Sequence, residues 1–243
     1  MELKGKTALV TGAAKRVGRS IALGLAEKGV HILLHYRSSQ SDAENTASQI
    51  RAQGVSCELF KADLSQTKDV EALSQSIEKR NLKVDILINS ASSFYKTPLS
   101  SVNESDWDRL MDTNLKGPFF LSKNLGLKMA DLNGGKIINI ADWSGFRPYK
   151  DYAPYCASKG ALVTLTKALA KDLAPKVYAN AIAPGPVLLP ENFSEEEKQK
   201  TIEKTLLRRL GTPEDIANAV IFILENDFIN GTVLVVDGGR SLN

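Results

Sequence analysis

The sequence predicts a single α/β domain of the doubly wound kind, with a parallel sheet flanked by helices on both faces. Three observations lead there. Seven short apolar runs of strand length alternate with six helical patterns along the 243 residues. A glycine-bearing turn joins the first strand to the first helix. No linker, low-complexity stretch or internal repeat interrupts the series. Strands alternating with helices imply βαβ crossovers, and crossovers place helices over both faces of a parallel sheet.

The predicted strands are Thr7 to Val10, Ile32 to Tyr36, Cys57 to Phe60, Val84 to Ile88, Lys136 to Ile140, Val177 to Ile182 and Val233 to Val236. Each is a short apolar run of the kind that a sheet buries on both sides. The predicted helices are Val17 to Lys28, Asp42 to Gln53, Lys68 to Lys79, Glu104 to Ala130, Pro154 to Asp172 and Pro213 to Leu224. Between the last two, Leu188 to Leu207 reads as a mobile substrate loop, about residues 187–210, carrying a short helix capped by Ser194. One domain therefore spans 1–243.

Composition excludes several classes of function. The chain is 43% apolar and 24% charged, with a net charge of +3 and no Lys/Arg run, so no nucleic-acid partner is implied. Cys57 and Cys156 stand far apart without a C-x-x-C pattern, which argues against a disulfide framework or a metal site. The N-terminus has no signal-peptide pattern, and no stretch reaches the roughly 18 apolar residues of a membrane span. A cytoplasmic protein acting on a small molecule is the expectation.

The first turn reads Thr11-Gly12-Ala13-Ala14-Lys15-Arg16-Val17-Gly18. Gly12 permits the tight turn, Gly18 lets the helix approach the sheet, and the amides from Arg16 through Val17 to Gly18 open a helix N-terminus suited to a pyrophosphate. Arg16 stands where a dinucleotide fingerprint usually has its middle glycine. At the end of the second strand, His35-Tyr36-Arg37-Ser38 contains no acid for a ribose diol. Arg37 and Ser38 suit a 2′-phosphate instead, with Arg16 as a second cation, so NADPH is favoured over NADH; an Arg37 that merely caps an exposed strand end is the alternative. His35 reads as a strand-end residue beside the adenine, and His31 as a residue with no partner.

Two roles fit Asp63, which is followed by Leu64: an acceptor for the adenine amino group, or a helix N-cap. Asn89-Ser90-Ala91-Ser92 offers small residues where strand ends pass close to a cofactor. Asn114, an unfavourable residue inside a helical pattern, marks either a distortion with a water-binding role or a packing position. Tyr155 and Lys159 lie four residues apart on one predicted helix and so share a face. An ammonium one turn away favours the phenolate and is expected to pull the Tyr155 pKa down toward neutrality.

Taken together, Thr11-Gly12…Gly18, Asp63, Asn89, Asn114, Tyr155-Cys156-Ala157-Ser158-Lys159, Pro184-Gly185 and Val236-Asp237-Gly238-Gly239 resemble the short-chain dehydrogenases/reductases, with a Rossmann fold, over essentially the whole chain. The resemblance implies that Tyr155 donates a proton, Lys159 holds the nicotinamide ribose, and Asn114 organises a water relay. It also implies cofactor contacts at Pro184, Gly185 and Val187, and a homotetramer paired through the helices that carry Asn114 and Tyr155.

One departure stands out. The family usually has Ser thirteen residues before the Tyr, and 155 − 142 = 13 falls on Asp142. That Asp, Arg16, His35-Tyr36 and the segment from Asn89 to Leu99 resemble the pteridine reductase branch. There Phe94 would sandwich a pterin against the nicotinamide, Ser92 would contact it, and Asp142 would join Tyr155 in proton delivery. A reductase of 3-oxoacyl thioesters or other carbonyls is the alternative, against which Asp142 counts. A non-catalytic NADP sensor is a third, against which the intact Tyr155/Lys159 pair counts.

Overall fold

A computed structural model describes residues 1–189 and 193–243. Seven strands, β1 (Thr7–Val10), β2 (His31–Tyr36), β3 (Cys57–Lys61), β4 (Ile86–Asn89), β5 (Gly135–Ile140), β6 (Val177–Pro184) and β7 (Val233–Val236), form one sheet in the order β3-β2-β1-β4-β5-β6-β7. Every pairing is parallel. The helices are α1 (Arg16–Glu27), α2 (Gln40–Ala52), α3 (Thr67–Lys79), α4 (Glu104–Met111), α5 (Gly117–Asp131), α6 (Ala153–Asp172), α7 (Glu195–Glu203) and α8 (Pro213–Glu225). The chain winds outward from β1 to β3, then returns to lay β4 beside β1 and winds the other way. This is the predicted single-domain doubly wound fold, and the reversal makes a crevice at the carboxyl ends of β1 and β4.

Alternation along the strands builds the two cores. In β1, Ala8 and Val10 join Ile86 and Ile88 of β4 on the face covered by α1 and α8, while Leu9 joins Leu87 on the face covered by α3 and α5. These residues are fully buried, and the register Leu9↔Leu33 and Leu9↔Leu87 keeps each layer in line. At the amino end of β5, the opposite end of the strands from the crevice, the Lys136 ammonium is buried and donates to the carbonyls of Leu224 (3.0 Å) and Asn226 (2.5 Å) while pairing with Asp227 at 2.8 Å. It supplies donors to the C-terminal end of α8, where carbonyls have no intrahelical partner.

One helix differs from expectation. The predicted helix from Glu104 to Ala130 is α4 and α5 joined by a π-helical turn, Asp112–Lys116, because Pro118 starts a new helix in its first turn. The expected loop helix is α7, where Ser194 accepts from the Glu197 amide at 3.2 Å and Glu197 accepts from the Ser194 amide at 2.8 Å. Residues 190–192 of the predicted substrate loop lie outside the described residues. Among the described residues, no helix is long and apolar enough to cross a membrane.

Candidate active site

The crevice is a cavity of about 640 Å³ running from the first turn, past the ends of β1, β4 and β5, to the side chains ahead of α6. The turn is built by contact. A Cβ at Gly18 would lie 2.5 Å from the Gly12 carbonyl oxygen, and one at Gly12, with φ +65°, would lie 2.9 Å from Ala91 Cα. Thr11 Oγ1 accepts from the amides of Ser90 (2.9 Å) and Ala91 (3.0 Å), so the ends of β1 and β4 are tied together. Arg16 adopts φ +55°, the left-handed region that costs a non-glycine residue roughly 1–2 kcal/mol. That explains why glycine is usual there. Its guanidinium donates to the Leu188 carbonyl at 2.8 Å, joining the turn to the loop after β6.

These features fit a dinucleotide. No side chain caps α1, so its first amides are left for an anion. Lys15, Arg16, Arg37 and Ser38 line that end of the cavity, with Val17, Tyr36, Asp63 and Leu64. Asp63 caps no helix. Its carboxylate accepts from the amide (3.0 Å) and hydroxyl (2.8 Å) of Ser65, while α3 begins at Thr67. Burial works to raise its pKa, but the Ser65 hydrogen bonds and the charges of Arg37 and Arg109 outweigh that and hold it low.

His35 is a fastening. Its Nδ1 accepts from the Gly12 amide at 3.1 Å, so Nε2 carries the proton and donates to the Ala62 carbonyl at 3.1 Å. Burial drives its pKa down to about 4, against the pull of that carbonyl and of Asp63. His31, expected to lack a partner, accepts from the Ser56 amide at 3.0 Å.

Two asparagines make packing contacts: Asn89 in place of the expected cofactor contact, and Asn114 at a position for which packing was one of the two readings of the sequence. The Asn89 amide turns into the sheet, donating to Ser122 Oγ (3.0 Å) and Asn139 Oδ1 (2.8 Å), and does not line the cavity. Asn114 sits in the π-helical turn, fully buried. Its Oδ1 accepts from Ser93 N (2.8 Å) and Ser92 Oγ (3.1 Å), and its Nδ2 donates to Ser93 O (3.0 Å) and Ser158 Oγ (3.2 Å). The side chain is spent on clasping the Ser92–Ser93 segment to α6, which makes it a positioning residue.

At the far end, Asp142, Tyr155 and Lys159 converge. Tyr155 Oη donates to Asp142 Oδ2 at 2.9 Å, and Asp142 Oδ1 accepts from the Ser144 amide (2.7 Å) and Tyr149 Oη (3.2 Å). Lys159 Nζ donates to the Ile140 carbonyl at 2.9 Å and lies 5.8 Å from the Tyr155 ring centroid. Burial lowers the Lys159 pKa to about 8. Burial and then the Asp142 charge raise that of Tyr155. The expected downward pull of the ammonium is therefore overturned. Buried beside a carboxylate, the phenol keeps its proton at neutral pH.

Phe94 stacks on Tyr152 (centroids 4.7 Å, planes 10° apart) and meets Tyr155 edge-on at 4.7 Å. The lone aromatic expected from the sequence is thus part of a cluster that also includes Tyr149 and Trp143. The sequence reading passed over Tyr149 and Tyr152. The available signal was that three of the six tyrosines fall at a three-residue spacing, Tyr149, Tyr152 and Tyr155. Pro184, Gly185 and Val187 line the same cavity after β6.

The family model for short chain dehydrogenases matches residues 6–201. The chain is a short-chain dehydrogenase/reductase. As a member of that family it is an oxidoreductase. It is 35% identical to a "Short-chain type dehydrogenase/reductase" of Picea abies, over 98% of this chain and 93% of that one. It is 34% identical to the 3-oxoacyl-[acyl-carrier-protein] reductase FabG of Staphylococcus epidermidis, over 96% of this chain and 98% of that one. Among solved structures, a blue fluorescent protein from a metagenomic library in complex with NADPH superposes with a TM-score of 0.91 at 31% identity, covering 99% of both chains.

Proposed function

We propose that this short-chain dehydrogenase/reductase is a cytoplasmic, NADPH-dependent enzyme that reduces a ring C=N in a pterin-like bicycle. The observation that carries the reading is the 2.9 Å hydrogen bond from Tyr155 Oη to Asp142 Oδ2. A carboxylate offers about four acceptor positions. Ser144 N, Tyr149 Oη and Tyr155 Oη occupy three, which leaves one for a donor on the substrate. A pterin presents ring N–H groups to fill it, whereas a 3-oxoacyl chain has none. Phe94 and Ser92 both line the cavity, so a flat ring can lie against the aromatic side chain with Ser92 beside it.

Lys15, Arg16, Arg37 and Ser38 would hold the phosphates, and Lys159 the ribose beside the reacting ring. When bound, the reduced nicotinamide supplies hydride to the substrate carbon. Tyr155, kept protonated by burial and Asp142, gives its proton to the adjacent nitrogen, so C=N becomes CH–NH. Lys159 then faces the phenolate and offsets its charge. The NADPH-bound relative and the absence of an acid after β2 support NADPH over NADH. Exposed Trp107 on α4, Leu127 on α5 and Phe222 on α8 fit burial in a homotetramer.

The identity to FabG favours a second reading, reduction of a 3-oxoacyl thioester. NADPH consumption with a dihydropterin and with a 3-oxoacyl thioester separates the two. Wild type should turn over the dihydropterin, and Asp142→Asn should lose ten- to a hundredfold of it, the worth of one charge-assisted hydrogen bond at roughly 1.5–3 kcal/mol. Ready turnover of the thioester with no response to pterins sinks the first reading in favour of the second.

A further inference from the structure

The cations along the cavity are unevenly used. Near the turn, Lys15 pairs with Asp42 at 2.8 Å, and Arg16 is occupied by Leu188. Beyond the aromatic cluster the wall carries Arg240, in the short 3₁₀ helix Arg240–Leu242 that ends the chain. Its Cζ lies 5.0 Å from the centroid of the Trp143 indole. Among the described residues it makes one long hydrogen bond, from Nη1 to the Lys204 carbonyl at 3.4 Å. Among the described residues no carboxylate pairs with it.

Fastening the tail does not require this cation. The Asp237 carboxylate accepts from the amides of Gly239 (2.8 Å) and Ser241 (2.7 Å), and Arg147 donates to the carbonyls of Ser241 (2.8 Å) and Asn243 (2.6 Å). Left-handed Gly238 and Gly239 turn the backbone so that Arg240 meets the cavity. A guanidinium has five donors in one plane, and lying over an indole leaves that plane's edge available. The position is one aromatic layer from the reacting groups: Trp143 meets Tyr149 edge-on at 5.1 Å, and Tyr149 Oη reaches Asp142. Trp143 is itself buried.

We propose that Arg240 anchors a carboxylate that the substrate carries at a distance from its reducible bond, so that the enzyme selects anionic over neutral substrates. The proposal rests on the aromatic end of the cavity being the substrate's end. A planar carboxylate matches the guanidinium edge in a way that a neutral amide does not.

Two matched pairs of probes test this on the NADPH-loaded enzyme. Pterin-6-carboxylate and pterin-6-carboxamide are compared as ligands, and 4-formylbenzoate and 4-formylbenzamide as aldehyde substrates. Wild type should favour the carboxylate of an accepted pair by about ten- to a hundredfold in affinity or KM. Arg240→Gln should bring that ratio to about one, Arg240→Lys should restore part of it, and NADPH affinity should not change. A merely structural Arg240 would instead lower Tm and weaken both members together. Discrimination in the aldehyde pair alone supports the anchor while removing the pterin reading. The proposal is overturned if wild type shows no preference in either pair, if no carboxylate binds, or if the preference survives in Arg240→Gln.

Discussion

Replacing His35 by glutamine removes a buried titrating group while keeping an acceptor for the Gly12 amide and a donor for the Ala62 carbonyl. In the parent, burial holds the His35 pKa near 4 against an ordinary 6.5. The unfolded chain therefore takes up a proton below about pH 6.5 that the folded chain refuses until about pH 4. Stability rises with pH wherever the unfolded state binds more protons, so the His35 contribution is complete above 6.5 and lost progressively toward 4. At about 1.4 kcal/mol for each pH unit, the loss amounts to about 3 kcal/mol at most. The site gives that loss a local target. A proton on Nδ1 removes the acceptor for the Gly12 amide and loosens the turn that would hold the cofactor phosphates.

Urea unfolding of parent and His35→Gln at a series of pH values between 7.5 and 4 measures this directly. Carboxylates titrate in both proteins, so the difference between the two curves isolates the one histidine. The parent should lose up to about 3 kcal/mol more than the variant across that range, most of it between pH 6 and 4. Its NADPH affinity should fall with it. Parallel curves would refute the assignment of His35 as a neutral, buried fastening.

Two further outcomes follow from the charged ends of the molecule. Arg37→Ala should weaken NADPH binding about ten- to a hundredfold, the worth of one charged hydrogen bond, and leave NADH nearly unaffected; titration with both cofactors checks it, and equal losses would remove Arg37 from the 2′-phosphate site. Lys136→Met should destabilise the fold by about 2–4 kcal/mol in denaturant unfolding, because it strips donors from the carbonyls ending α8, while NADPH affinity of the folded variant stays at the parent value because Lys136 lies at the amino end of β5, away from the crevice at the carboxyl ends of the strands.

The fold was legible because the strands of a parallel sheet are short and mostly apolar, and runs of that kind alternate with helical patterns even where Glu58, Asn139 or Asn180 interrupts them. The Tyr155–Lys159 pair was legible as well, since residues four apart on a helix share a face, whereas Asp142 was reached only through its match to the family register. The break in the long helix was not legible. A π-helical turn inserts a single residue, and the one-position shift it makes in the apolar stripe around Asn114 is too small to mark a break in the sequence pattern. Direction within the sheet was equally hidden. Asn89 ends a strand beside the cavity, yet its amide finds Asn139 and Ser122 on neighbouring elements, partners fixed by the strand order rather than by local sequence.

The sign of the tyrosine shift shows where spacing arguments stop. A lysine four residues away would by itself favour the phenolate, but here burial of the phenol and a carboxylate 2.9 Å from the hydroxyl act the other way. Helical geometry specifies the first effect. The other two depend on how tightly β5, the segment after it and α6 close around the pair. They win here, and so the same three residues that a simple reading would make a poised base are held as a proton donor. A protonated phenol is the form that the proposed reduction would draw on, and the lysine, itself brought down to about 8 by burial, would offset the charge left once the proton has gone.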